Sequence, residues 1–191
     1  MCIRDRGELY VETGLNELRM SNYRRILSLD SAMVVVQFDK DGVQYQRKYF
    51  ISYPDSVMVM KFTANQSGKQ NLILSYCPNS EAKSNLRADG KDGLVYTGVL
   101  DNNGMKFAFR IKAIHKGGTL EAENDRLIVK GADEVVFLLT ADTDYKMNFN
   151  PDFKDPKTYV GNDPEQTTRI MMDQAVQKGC LLYTSDAADD L

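Results

Sequence analysis

Between Gly7 and Asp144 apolar side chains return at every second position, and turn signals break the pattern about every ten residues. A helical bundle cannot satisfy that period, whereas a sandwich or barrel of short strands can. In GELYVE (7–12), Leu9 and Val11 alternate with Glu8, Tyr10 and Glu12. Residues 23–29 lead through Asp30-Ser31 into 33–39. Asp41-Gly42 then separates MVVVQFDK from VQYQRKYFIS, and both residues tolerate the positive φ of a tight hairpin. In the return strand Val43, Tyr45, Arg47 and Tyr49 share one face, until Tyr53-Pro54-Asp55 interrupts the ladder.

Residues 57–64 and 70–76 read as the next pair, joined by Asn65-Gln66-Ser67-Gly68. The polar stretch 78–93 reads as a long surface loop with room for a short strand. Two more hairpins follow, turning at Asp101-Asn102-Asn103-Gly104 and at Glu123-Asn124-Asp125. Phe107, Phe109, Ile111 and Ala113 fall on one face of the strand between them. VVFLLT (135–140) is apolar on both faces, as expected of a central strand covered on both sides.

After Asp144 the period is lost, and 145–162 reads as a linker. Asp163-Pro164-Glu165-Gln166 supplies a cap, a proline at the first helical position and a glutamine at the third. A helix is predicted from there to about Lys178, with Ile170, Met171 and Ala175 as its apolar face. The fold class is therefore all-β: an antiparallel twisted sandwich, incomplete, followed by a linker and one C-terminal helix. Strands that precede the helix instead of alternating with it disfavour a doubly wound fold.

The two ends do not share this patterning. Residues 1–6 (MCIRDR) and 180–191 (CLLYTSDAADDL) resemble translated adapter sequence, which assigns 7–144 to a partial β-sandwich and 145–179 to the linker and the start of a helical region. The natural protein is then expected to continue past both edges. The head carries two Arg and one Asp and the tail three Asp, so the formal charge of −3 becomes −1 for 7–179. A nearly neutral chain has no basic field to attract nucleic acid or anionic lipid. No apolar stretch approaches the roughly 18 residues of a membrane span. With Cys2 and Cys180 in the ends, Cys77 alone remains, so neither an internal disulfide nor a cysteine metal cluster is expected.

Chemistry-bearing motifs are sparse. No nucleophile elbow, P-loop or dinucleotide fingerprint occurs, and no cofactor is expected. His115, in AIHKGG, has no partner nearby in sequence and reads as structural. Asp142 and Asp144 in TADTDY follow an apolar strand. They are the best candidates for a glycosidase pair, which in inverting enzymes stands about 6.5–9.5 Å apart. Turn-capping carboxylates are the plainer reading. Tyr45, Tyr49, Tyr53 and Tyr96 would serve a sugar-stacking platform if they clustered on an exposed face, which would make the chain an independent carbohydrate-binding module. A fibronectin-type adhesion module is a third reading.

Three stretches together resemble one family. They are YRRILSLDSA (23–32), the hairpin DGVQYQRKYFISYPD (41–55), and GADEVVFLLTADTDY (131–145), with GELYVE before them and DPEQTTRIMMDQAV after. The pattern is similar to the N-terminal domain of glycoside hydrolase family 95, the α-L-fucosidases. The resemblance implies a large twisted sandwich, a linker and an α/α barrel that hydrolyses terminal fucosyl linkages with inversion and without metal. It places the catalytic residues in the barrel, so no residue here is assigned to catalysis and none to substrate binding. It further implies periplasmic or extracellular residence, the barrel as the partner of this domain, and a fucosylated oligosaccharide as substrate of the parent. A sandwich lacking strands would expose edges and inner faces, so 7–179 alone is expected to be poorly soluble or oligomeric.

Overall fold

The computed structural model describes residues 7–16, 18–78 and 82–184. Among these residues, twelve strands form two antiparallel sheets. The smaller has the order β1 (Gly7–Glu12), β6 (Gln70–Pro78), β11 (Arg126–Ala132), β10 (Thr119–Ala122). The larger runs β2 (Ser21–Ser28), β3 (Met33–Lys40), β4 (Val43–Ser52), β5 (Val57–Ala64), β12 (Glu134–Thr143), β9 (Lys106–Lys116), β8 (Gly93–Leu100), β7 (Ala82–Ala88). One helix, α1 (Pro164–Thr184), follows.

Period-two patterning assembles the core between the sheets. Met60 and Phe62 of β5, Ile111 and Ala113 of β9, and Val135 and Phe137 of β12 meet Leu72 and Leu74 of β6 and Leu127 and Val129 of β11. Phe62 and Phe137 pack edge to face at 5.8 Å, a favoured aromatic geometry. β12 lies between β5 and β9, and its alternate residues Val136 and Leu138 point outward beneath α1 with Val57, Val59, Met172 and Ala175. The expectation of a central strand buried on both faces is met. The Asp41-Gly42 hairpin also forms, with φ of 50° and 75° and Lys40 opposite Val43. Across it Phe38 and Tyr45 stack at 5.3 Å, and the Arg47 guanidinium lies 5.0 Å from the Phe38 ring.

Three expectations are corrected. β5 and β6 are not a hairpin: β5 pairs with β4 and β12, β6 with β1 and β11, and residues 65–69 carry the chain between sheets. β5 is apolar on both faces and takes cover from the small sheet on one and from α1 on the other, whereas β6 is apolar on one face and closes the second layer. The stretch read as a loop contains β7, a full partner of β8. Its sequence AKSNLRA shows little alternation because it is an edge strand with mostly exposed side chains.

In the helix, Ala175 is buried as anticipated, but Met172 is the buried methionine and Ile170 is 49% exposed. The inward stripe is Pro164, Thr168, Met172, Ala175 and Val176, at i, i+4, i+8, i+11 and i+12. Asp163 caps the helix, its Oδ1 accepting from the Glu165 amide at 3.2 Å. The helix continues past Lys178 to Thr184, since Gly179 lowers helix propensity without ending it. Residues 1–6 and 185–191, most of the ends set apart by composition, lie outside the described residues.

Candidate functional site

The sequence singles out Asp142 and Asp144, and the structure gives them different surroundings. Asp144 is buried, and three bonds hold it. Its Oδ1 accepts from the Lys106 amide at 2.9 Å, its own amide donates to the Lys106 carbonyl at 3.0 Å, and its carbonyl accepts from Gly161 at 2.6 Å. This is a turn-fastening carboxylate. It closes the β9–β12 ladder and brings the two ends of the linker together, where Tyr145 bridges to Val160 and its ring stacks on Tyr159 at 5.9 Å. Asp142 accepts from the adjacent Thr143 amide at 2.8 Å and lines a cavity between the sheets.

That cavity, of about 600 Å³, is walled by Leu9, Tyr49, Met60, Tyr76, Tyr96 and Phe109, with further apolar groups around them. Asp142 is the one carboxylate among its lining residues. A lone carboxylate in an apolar wall supplies a hydrogen-bond acceptor. General-acid hydrolysis with water activated on the opposite face requires a second. Burial holds the Tyr49 hydroxyl above the usual phenol range, with the Arg47 charge opposing. The Tyr96 hydroxyl is buried without a hydrogen-bond partner.

The other sequence candidates do not converge. His115 is exposed, its Nδ1 2.8 Å from the Gly117 carbonyl oxygen. The four tyrosines form no exposed platform: Tyr45 packs under Phe38, Tyr96 is 1% exposed, Tyr49 lines the inter-sheet cavity, and Tyr53 stands alone on the β4–β5 turn at 91%. Cys77 is an exposed free thiol. Among the described residues, no group of three His, Cys, Asp or Glu is placed to hold a metal ion, and no helix is long and apolar enough to cross a membrane.

Sequence reading missed a second, polar cavity of about 360 Å³ on the outer face of the large sheet, between the turn at 89–93, β9 and α1. Its central group, Arg110, faces outward on β9, away from Ile111 and Ala113, and is buried on the side that α1 covers.

The residues that carry the family resemblance act in the same structural way as Asp144. Asp41 and Gly42 form a turn, and Ser52 donates to Asp55 at 2.9 Å, with Lys178 of α1 paired to the same carboxylate. Asp133 accepts from the Gly68 amide at 2.7 Å and so ties β11–β12 to the inter-sheet crossing.

Comparison with known proteins agrees with a domain defined by its fold. The chain is 28% identical over 155 residues to a "Probable alpha-fucosidase A" of Aspergillus niger, covering 76% of this chain and 19% of that protein. It is 24% identical over 163 residues to "Alpha-L-fucosidase 2" of Arabidopsis thaliana, covering 73% and 19%. It thus spans about a fifth of the length of these relatives. A solved structure titled "Putative kojibiose phosphorylase from human microbiome" superposes with a TM-score of 0.62 at 9% identity, covering 96% of this chain and 27% of that one, which is a likeness of fold. The sequence model of the glycosyl hydrolase family 65 N-terminal domain matches residues 4–148. With that match covering most of the chain and fucosidases among its relatives, the protein belongs to the glycosyl hydrolase family 65 N-terminal domain family.

Proposed function

We propose that this chain is the N-terminal sandwich of an α-L-fucosidase-like glycoside hydrolase of the family 95 type, itself non-catalytic, supporting an α/α barrel that removes terminal fucosyl groups with inversion. The observation that carries the reading is that both relatives are named as fucosidases, while the one carboxylate pair suggested by sequence is divided between a turn and an apolar wall. The barrel is the partner, and the α1 face and linker are where it would adjoin. Exposed Phe149 and Phe153, at 95% and 84%, offer apolar surface for that contact. A fucosylated oligosaccharide is the substrate of the parent enzyme, and residence is periplasmic or extracellular.

The test is expression of the complete coding region beside the 191-residue chain, with both assayed for fucose release from fucosylated oligosaccharides and the anomer of the product read by NMR. Release by the longer protein alone, with inverted configuration, is expected. Release of a different sugar, phosphorolysis in place of hydrolysis, or sugar release by the chain alone would overturn the reading.

A further inference from the structure

Arg110 sits at mid-strand in β9, opposite Thr140 of β12 and Val95 of β8, on the face covered by α1. Its side chain is 3% exposed. Burial, and next the neighbouring charge of Arg169, lower its pKa from the usual guanidinium value, but a guanidinium does not give up its proton in a protein, so the charge has to be met by partners. Asp89 meets Nη1. Nε and Nη2 are buried and have no partner. These two nitrogens form one edge of the planar fork, and their parallel N–H bonds match the two oxygens of a carboxylate.

The cavity that Arg110 lines is built from three elements. The turn contributes Asp89 and Asp92, β9 contributes Arg110 and Lys112, and α1 contributes Arg169 and Asp173. Its volume of about 360 Å³ falls at the small end of the range of about 300–1,000 Å³ typical of small-molecule pockets. The turn is pressed against the sheet: a Cβ on Gly93 would lie 2.9 Å from the carbonyl oxygens of both Asp89 and Ile111, so the two aspartates are held in position.

Of the six charges, Asp89 is engaged by Arg110 and Asp92 by Lys112 at 3.0 Å. Arg169 has no ion-pair partner among the described residues, and Asp173 lies one helical turn further on. Three cations and three carboxylates balance across the cavity, with Arg169 and Asp173 outside the two pairs, so what is left unmet is the Nε/Nη2 edge of Arg110, near the Arg169 charge, while Asp92, Asp173 and Lys112 present acceptors and donors suited to hydroxyl groups.

We propose that this cavity binds a carboxylate-bearing, monosaccharide-sized ligand, a sugar acid, with its carboxylate on the Nε/Nη2 edge of Arg110 beside Arg169 and its hydroxyls toward Asp92, Asp173 and Lys112. The proposal does not depend on the activity of the parent enzyme. Both free nitrogens are covered, so entry includes a shift of the rim, where Arg169 and Asp173 are exposed.

The test is a titration of the isotopically labelled 191-residue chain with D-glucuronate, D-glucose and acetate, following the arginine Nε–H resonances and the melting temperature. Glucuronate is expected to shift the Arg110 resonance and raise the melting temperature, with glucose inert and acetate at least tenfold weaker. Arg110→Gln risks the fold. Arg169→Gln, at an exposed position, leaves it intact and is expected to weaken glucuronate binding about tenfold, the loss of one charge-assisted contact. Absence of glucuronate binding, equal binding of glucose or acetate, or indifference to Arg169→Gln would overturn the proposal.

Discussion

Replacing Asp144 separates a structural carboxylate from a catalytic one. In Asp144→Ala the Lys106 amide loses an ionised acceptor at 2.9 Å, while the backbone bonds of residue 144 to Lys106 and Gly161 remain. A hydrogen bond to a charged group contributes about 1.5–3 kcal/mol net. Because the bond is only partly buried, water recovers part of this, and about 2 kcal/mol is expected. With a urea slope of about 2 kcal/mol/M, the unfolding midpoint falls by about 1 M. Asp144→Asn keeps an oxygen at the same place and should lose less than about 1 kcal/mol, the difference between a charged and a neutral acceptor. Asp142→Ala, which gives up only a bond to its neighbour Thr143, should cost about 0.5 kcal/mol. The assay is equilibrium urea unfolding of the 191-residue chain, paired with turnover in the longer protein proposed above. An unchanged midpoint in Asp144→Ala with turnover abolished in both Asp144 variants would refute the structural assignment.

Three further outcomes follow from packing and backbone geometry. Phe137→Ala removes a fully buried ring from between the sheets and should cost about 3–5 kcal/mol, read as a lowered urea midpoint. Gly42→Ala and Gly118→Ala both place a Cβ at positive φ, 75° and 65°. The first meets open space and the second a backbone oxygen at 2.2 Å, so thermal melting should show about 1 kcal/mol for Gly42→Ala and a substantially larger loss for Gly118→Ala. The chain should sediment with concentration-dependent mass, because the edge strand β2 is exposed along nearly its whole length and carries Ile26 and Leu27. Leu27→Lys should shift the population toward monomer.

What the sequence discloses is what its local chemistry determines. Turns whose residues accept positive φ, such as Asp41-Gly42, and strands with a clear period, such as 106–116, are legible because a few neighbouring residues decide them. Whether consecutive strands pair is decided elsewhere: 57–64 and 70–78 satisfy a hairpin pattern equally well, and only the demand of β5 for cover on both faces sends the chain to the other sheet. The helix face departs from the sequence expectation at Ile170 and Met171, because both are more apolar by type than the stripe that the Asp163 cap and the position of Thr168 turn inward. Arg110 was illegible for a related reason. In KFAFRIKAIHK an arginine on the polar face of a strand signals solvent, and a helix that begins more than fifty residues later reverses that meaning.

The position of α1 bears on how the sandwich acts on whatever follows it. Were the helix a free linker, its first turns would touch the sheet only through solvent-exposed polar side chains. Instead Met172 and Ala175 fill the outer face over β5 and β12, Thr140 of β12 donates to the Thr168 carbonyl at 3.1 Å, Arg87 of β7 pairs with Glu165 at 2.6 Å, and Lys178 pairs with Asp55 of the β4–β5 turn. These fastenings reach the large sheet near its middle and toward both sides, so a rotation of the helix would have to break apolar packing, a buried hydrogen bond and two ion pairs together. Domains joined by small polar contacts move relative to one another by default, whereas a shared apolar interface suppresses that motion. Any segment continuing from α1 would therefore inherit its orientation from the sandwich.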